Sequence, residues 1–319
     1  MALPGGLNER AWRLADHLAS QAASLRITAQ STGGMRWIDC GIEAPGGLQA
    51  GLALARVCLA GLADVGLTAS EAAQGACPIV TVSSDHPVAA CMASQYAGWQ
   101  ISVDKFFAMG SGPMRAAYGK EALFDVIGCR EQATLAVGVL ETRKKPDEGV
   151  AAYLAEKLQL PPSAITLLAA PAASLAGTIQ VVARSLETAL HKLFELKFDL
   201  TQIVSGFGSA PLPPVAADEV GAIGRTNDAI LYGGRVILWV RAEDDLLAQV
   251  GPKVPSSASA DHGAPFADIF ERYERDFYKI DPMLFSPAQI VFHNLNSGRS
   301  HVFGHIAPDV LNRSFFVTS

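Results

Sequence analysis

Gln180, Arg184, Glu187 and His191 set an amide, a guanidinium, a carboxylate and an imidazole three or four residues apart. At about 100° per residue they fall within an arc of roughly 60° on one helix. Ile179, Val182, Leu186, Leu190 and Leu193 form an apolar stripe on the same helix, so the spacing predicts a single helix over 178–193. Four polar groups in one row suit the wall of a polar pocket, where a carboxylate can move protons and a neighbouring guanidinium can orient it. The competing reading of Arg184 and Glu187 is a surface ion pair, worth only ~0.3–0.5 kcal/mol.

Three further stretches carry groups that could bind. Gly110-Ser111-Gly112-Pro113-Met114-Arg115 could turn backbone N–H groups toward an anion or a planar ring, or be a plain turn. It lacks the Lys-Ser/Thr end of a phosphate loop and does not match the Gly-x-Ser-x-Gly elbow, so it does not argue for a Ser111 nucleophile. Gly224-Arg225-Thr226-Asn227-Asp228 reads either as a capped turn or as a polar clamp for a heterocycle with several N–H and C=O edges. Gly206-Phe207-Gly208 is a poor dinucleotide motif, because Pro211 follows where that fold needs a helix. His301 and His305 would lie about 13 Å apart along a strand, too far to share a metal, and no His, Cys or carboxylate cluster has a zinc spacing.

The elements that must position these groups alternate between helical and extended patterns. Helical spacing covers 7–24, 48–62, 87–97, 149–159 and an aromatic-rich 266–279. Extended patterns cover 25–31, 35–42, 79–82, 103–109, 133–141 and 165–170. Hairpin turns are expected at Thr32-Gly33-Gly34, Tyr232-Gly233-Gly234 and Asn296-Ser297-Gly298, the last joining strands at 289–295 and 299–306. The segment 251–265, rich in Gly, Pro, Ser and Ala, reads as a linker or flexible loop. Hairpins interrupting the alternation predict a mixed α/β (α+β) architecture rather than a doubly wound sheet.

Composition narrows the function class. The chain has 319 residues, half of them hydrophobic and 18% charged, which is enough for a sizeable core and too apolar for disorder. A formal charge of −6, with no basic run longer than the loop-like Arg143-Lys144-Lys145, argues against nucleic acid as a partner. The most apolar run, 48–63, is short for a membrane span and contains Arg56. Five cysteines without a C-x-x-C pair fit reduced thiols, and the N-terminus lacks a signal-peptide pattern, so the expectation is a cytoplasmic protein.

At the level of blocks the chain resembles the methenyltetrahydromethanopterin cyclohydrolase family. The resemblance is carried by 38–41 (IDCG), 60–65 (AGLADV), 94–99 (SQYAGW), 107–113 (FAMGSGP), 182–188 (VARSLET), 224–233 (GRTNDAILYG) and 281–288 (DPMLFSPA), in one order across nearly the whole chain. It implies reversible hydrolysis of the methenyl bridge of a tetrahydromethanopterin-type carrier to the N5-formyl compound, with no metal and no redox cofactor. It implies two α/β-type domains, split near 145/146 and discontinuous, with the pterin in an interdomain cleft, and a homo-oligomer, a trimer. The family's catalytic Arg and Glu fall on Arg184 and Glu187, the glutamate as general base for water and the arginine tuning it. Gln95, Ser111, Gly112, Pro113, Arg115, Gln180, Thr226, Asn227 and Asp228 are the candidate substrate-binding residues. A one-carbon oxidoreductase and a non-catalytic pterin-binding protein remain as alternatives.

Overall fold

The computed structural model describes residues 5–70, 77–276 and 279–316, and contains two compact units, each with its own six-stranded mixed sheet. Unit 1 is formed by 1–63 and 89–180, unit 2 by 64–88 and 181–319.

The sheet of unit 1 runs β1 (Thr28–Thr32), β2 (Met35–Asp39), β8 (Ile165–Ala170), β7 (Ala136–Glu141), β6 (Phe106–Ser111), β5 (Trp99–Val103). Its centre, β2–β8–β7, is parallel, and the outer pairs are antiparallel. Parallel strands at a sheet centre must be covered on both faces. On β8, Ile165, Leu167 and Ala169 pack with Val150, Leu154 and Leu158 of α6 (Glu148–Leu158) on one side. Leu168 and Ala170 pack on the other with Ala11, Ala15 and Leu18 of α1 (Leu7–Ser20) and Leu54 and Val57 of α3 (Leu48–Cys58). A short α2 (Ala22–Leu25) precedes β1, and the β1–β2 hairpin turns at Gly33 and Gly34, both at positive φ, as the sequence predicts.

The sheet of unit 2 runs β12 (Ser300–Gly304), β11 (Gln289–Asn294), β10 (Arg235–Val240), β9 (Ile203–Pro211), β4 (Ile79–Ser84), β3 (Asp64–Thr68), with β10–β11 the only parallel pair among these strands. β10 and β11 alternate buried and half-buried residues, with Val236, Leu238, Ile290 and Phe292 on the buried face. α8 (Ser185–Glu195) and α9 (Glu219–Leu231) pack against β9, α8 also against β10. The remaining helices are α4 (Met114–Tyr118) and α5 (Leu123–Ile127) in unit 1, α10 (Asp244–Val250), α11 (Phe266–Arg272) and α12 (Pro308–Phe315) in unit 2, and α7 (Leu175–Val182), which spans the boundary in sequence.

The mixed α/β class and the Asn296–Gly298 hairpin agree with the sequence reading. Five local expectations do not. The helix expected over 178–193 is two helices, because the chain tightens at Ala183-Arg184, where the Arg184 N–H reaches the Val181 carbonyl at 3.0 Å. The strand expected at 103–109 is instead a hairpin, with Asp104 at φ 48° between β5 and β6. Tyr232-Gly233-Gly234 joins helix α9 to strand β10 rather than two strands. The segment 251–265 is not an open linker: it holds two 3-10 turns, and the buried Ser256 hydroxyl donates to the Leu231 carbonyl. Helix α11 stops at Arg272, with Glu274 and Arg275 at positive φ, and Phe277 and Tyr278 of the expected helix lie outside the described residues. Among the described residues, no helix is long and apolar enough to cross a membrane.

Candidate active site

In unit 2, Arg184 and Glu187 face each other at the start of α8. Arg184 occupies the N-cap position and Glu187 the first turn, where the helix dipole favours a carboxylate. Arg184 Nη1 stands 3.9 Å from Glu187 Oε2, and the two side chains are only 10% and 6% exposed. This pair is therefore not the solvated ion pair that the spacing also allowed. Its seat is made by β9: a Cβ on Gly206 would come 2.8 Å from Leu186 Cδ1, and one on Gly208 would come 2.6 Å from Ser185 Oγ and 2.9 Å from the Leu186 nitrogen. Gly206 and Gly208 thus let the first turn of α8 lie directly on the strand. That is the structural use of a Gly-Phe-Gly motif that resembled a cofactor loop only by composition.

The same helix carries a buried lysine that the sequence reading passed over. Lys192 is 1% exposed and its ammonium donates to the Met283 carbonyl. Burial lowers its pKa to about 8, against an opposing pull from Asp281. His191 is half-buried on the side of α8, its Nε2 3.8 Å from Glu195 Oε1.

Thr226, Asn227 and Asp228 lie inside α9 rather than in a turn, whose start is capped by Asp218 accepting from the Gly221 N–H at 2.8 Å. The Thr226 hydroxyl donates to the Ala222 carbonyl at 2.8 Å, and the Asn227 amide to the Ile223 carbonyl at 2.8 Å. Asp228 is fully buried, with Oδ1 accepting from the Phe266 N–H at 2.8 Å. Burial pushes its carboxyl up to about 7, partly offset by Ser314 and the Phe266 N–H. Thr226 and Asn227 spend these donors on their own helix, and Asp228 ties α9 to α11.

Unit 1 collects the other candidates around one thiol. Cys58, at the end of α3, donates to Ser111 Oγ at 3.5 Å and accepts from Gln180 Nε2 at 3.6 Å. Its carbonyl accepts from the Ser94 hydroxyl at 2.6 Å, and the Gly112 N–H reaches the Ser94 carbonyl at 2.8 Å. Gly51 lets α3 and α7 meet, since a Cβ there would lie 2.9 Å from Ile179 Cβ and 3.0 Å from Ala176 Cα. Ser94 and the buried Gln95 end a π-helix, Val88–Gln95, whose wider turn shows in the Tyr96 N–H to Cys91 carbonyl bond of 2.8 Å. π-Helical turns are rare and concentrate at functional sites.

Arg115 and Pro113 have structural partners in this unit. Arg115 is fully buried and forks onto Glu121 with contacts of 2.9 and 2.5 Å, while Nη1 donates to the Met92 and Ser94 carbonyls at 3.0 and 3.3 Å. Its guanidinium also lies over the Tyr96 and Phe124 rings. Arg115 therefore braces the end of the π-helix. The Pro113 carbonyl accepts from Asn8 Nδ2 at 2.9 Å, and Asn8 Oδ1 accepts from the Val137 N–H at 2.9 Å. Cys58 and Ser94 sit on largely apolar helices and look there like core, while Lys192, on amphipathic α8, looks like surface. A lysine amid Leu190 and Leu193 was the one available signal.

Among the described residues, no three His, Cys, Asp or Glu side chains converge as metal ligands. His301 Nε2 instead donates to the Asp244 carboxylate at 2.9 Å, holding the last hairpin to the start of α10.

Residues 6–315 match the family model described as Cyclohydrolase (MCH). The chain is 50% identical over 305 residues to the methenyltetrahydromethanopterin cyclohydrolase of Rhodopirellula baltica, covering 94% of this chain and 92% of that protein. It is 44% identical to the protein of that name from Methylobacillus flagellatus, with 95% and 93% covered. It is 42% identical to the one from Methanosarcina barkeri, with 87% and 88% covered.

Proposed function

The chain belongs to the Cyclohydrolase (MCH) family, and from that premise we propose that it hydrolyses the methenyl bridge of N5,N10-methenyltetrahydromethanopterin to the N5-formyl compound, with Glu187 as base and Arg184 as its partner. The observation that carries the residue assignment is the buried Arg184–Glu187 pair at the first turn of α8. The methenyl carbon belongs to an amidinium-like cation and is electrophilic as bound. What the protein must add is a positioned water, a group to take its proton, and a negative charge that favours the cation.

Water adds to the methenyl carbon and its proton passes to Glu187, leaving a neutral tetrahedral adduct. Glu187 returns that proton to N10 as the C–N10 bond breaks. The hydroxyl on carbon becomes the formyl carbonyl by releasing its proton to solvent, so one proton is produced per turnover. Arg184 holds the carboxylate in place by charge. Ser111, Gly112 and Gln180, gathered near Cys58, and Gln95 at the π-helix end are the ring-binding candidates of unit 1. Pro113 and Arg115 support them. In unit 2, Asp228 is the member of the Thr226–Asp228 group whose chemistry is not spent on its own helix. Assembly as a homotrimer belongs to the same reading, and sedimentation of the purified protein measures it.

The deciding experiment follows the methenyl chromophore. The protein should bleach it without added nicotinamide, and Glu187→Gln should lower kcat by about 10²–10⁴-fold. An oxidoreductase would require the nucleotide, and a carrier-binding protein would leave the chromophore intact. Near-normal turnover by Glu187→Gln would remove the base assignment.

A further inference from the structure

Helix α8 is held at two places. Its first turn rests on Gly206 and Gly208 of β9. About 7.5 Å further along the axis from Glu187, Lys192 is buried and donates to the Met283 carbonyl. The receiving segment is itself braced: Asp281 accepts from the Met283 N–H at 2.9 Å and from the Ser259 hydroxyl at 2.6 Å. The Asp281 N–H donates to Asp261 at 3.1 Å, and the Tyr273 hydroxyl donates to the other Asp261 oxygen at 2.8 Å. An apolar residue would fill the Lys192 position without the cost of desolvating an ammonium.

We propose that Lys192 is a positioning residue for the Arg184–Glu187 pair: its ammonium, seated on the Met283 carbonyl, fixes the roll of α8 and so the direction of the Glu187 carboxylate. The proposal rests on the hydrolytic reading above. The lever is short. A helix side chain ends roughly 5–6 Å from the axis, so a roll of about 15° would move the carboxylate by about 1.5 Å. A misplacement of ~1 Å can cost ~10²-fold in rate. Asp281 is the charged group that faces the ammonium from the 279–286 segment, with Asp261 and Tyr273 behind it, and Glu187, His191 and Glu195 share its helix.

The test is the chromophore assay across pH on the full chain. Wild-type activity should decline as pH rises through about 8, where the buried ammonium loses its proton. Lys192→Met, close in shape but neutral, should lower kcat by about 10–100-fold with KM within about threefold, and should lack that alkaline limb. Asp281→Asn removes the charge that holds the proton on Lys192, so its limb should move to lower pH, and this variant decides the matter if Lys192→Met does not fold. A Lys192→Met enzyme with kcat within threefold of wild type and the same limb would overturn the proposal. An unmoved limb in Asp281→Asn would do so too. If the wild-type protein does not bleach the chromophore, it is the hydrolytic reading that falls, before any variant is made.

Discussion

Gly208 and Ser185 are in contact so close that no side chain fits between them: a Cβ on Gly208 would stand 2.6 Å from Ser185 Oγ. The Leu186 nitrogen lies 2.9 Å from the same point, so a rotamer change alone does not relieve the clash. Gly208→Ala should push the first turn of α8 off β9. We expect a loss of about 1–3 kcal/mol in urea denaturation together with a fall in kcat. Gly206→Ala meets the flexible ends of Leu186 and Leu238 rather than backbone and should be milder on both measures.

Arg184 acts on the substrate through Glu187 in our reading, so its variants should separate charge from geometry. Arg184→Lys keeps the charge but loses the planar fork. We expect kcat to fall by about tenfold or more, a shifted pH–rate profile, and an unchanged far-ultraviolet circular dichroism spectrum. An unshifted profile with normal kcat would detach Arg184 from the reaction.

Asp39 is a stability determinant of unit 1. Fully buried, it accepts four backbone N–H bonds, from Gly41, Ile42, Glu43 and Ala44, at 2.9, 2.6, 2.8 and 3.0 Å. Asp39→Asn sets an amide donor against donors in that cradle. With hydrogen bonds to charged groups worth about 1.5–3 kcal/mol each, a loss of several kcal/mol is expected. Equilibrium denaturation measures it, and a loss below about 1 kcal/mol would show that the loop re-forms without the carboxylate.

Asp228 links stability to pH. Its folded pKa, raised to about 7 by burial, exceeds the unfolded value of about 3.9. Between these values the folded state binds more protons, so this group's contribution is complete below pH 4 and is lost as pH rises through 7. Asn can still accept from the Phe266 N–H but does not ionise. The stability of Asp228→Asn relative to wild type should therefore rise from pH 4 to pH 7, as read from melting temperatures. A difference independent of pH would contradict the raised pKa.

Much of the architecture was legible because local rules were enough. Period-two and period-three-to-four patterns placed most of the strands and helices, and Gly33-Gly34 and Asn296–Gly298 turned where positive φ permits a hairpin. The errors also share a cause. Tyr232-Gly233-Gly234 looked like a hairpin because a turn motif does not state what precedes it, and Asn227 and Asp228 disguised a helix whose side chains bond within the fold. The 60° row with Gln180 assumed one continuous helix, whereas the chain breaks at Ala183-Arg184, in a segment where Ser185 and Glu187 suit a helix start.

By itself, then, the sequence determined the family, the mixed α/β class and the candidate pair, since these are properties of order, pattern and residue type. Only the tertiary structure decided which polar groups remain for chemistry. Arg115 is spent on Glu121 and the π-helix end, Thr226 on its own helix, and Cys58 and Lys192 emerge as partners of Gln180 and Met283. The Gln180–Cys58 hydrogen bond joins residues 122 positions apart, and the Val137–Asn8 bond residues 129 apart. No periodicity within a segment records such a pairing, because its free energy arises only once the strands and helices have packed.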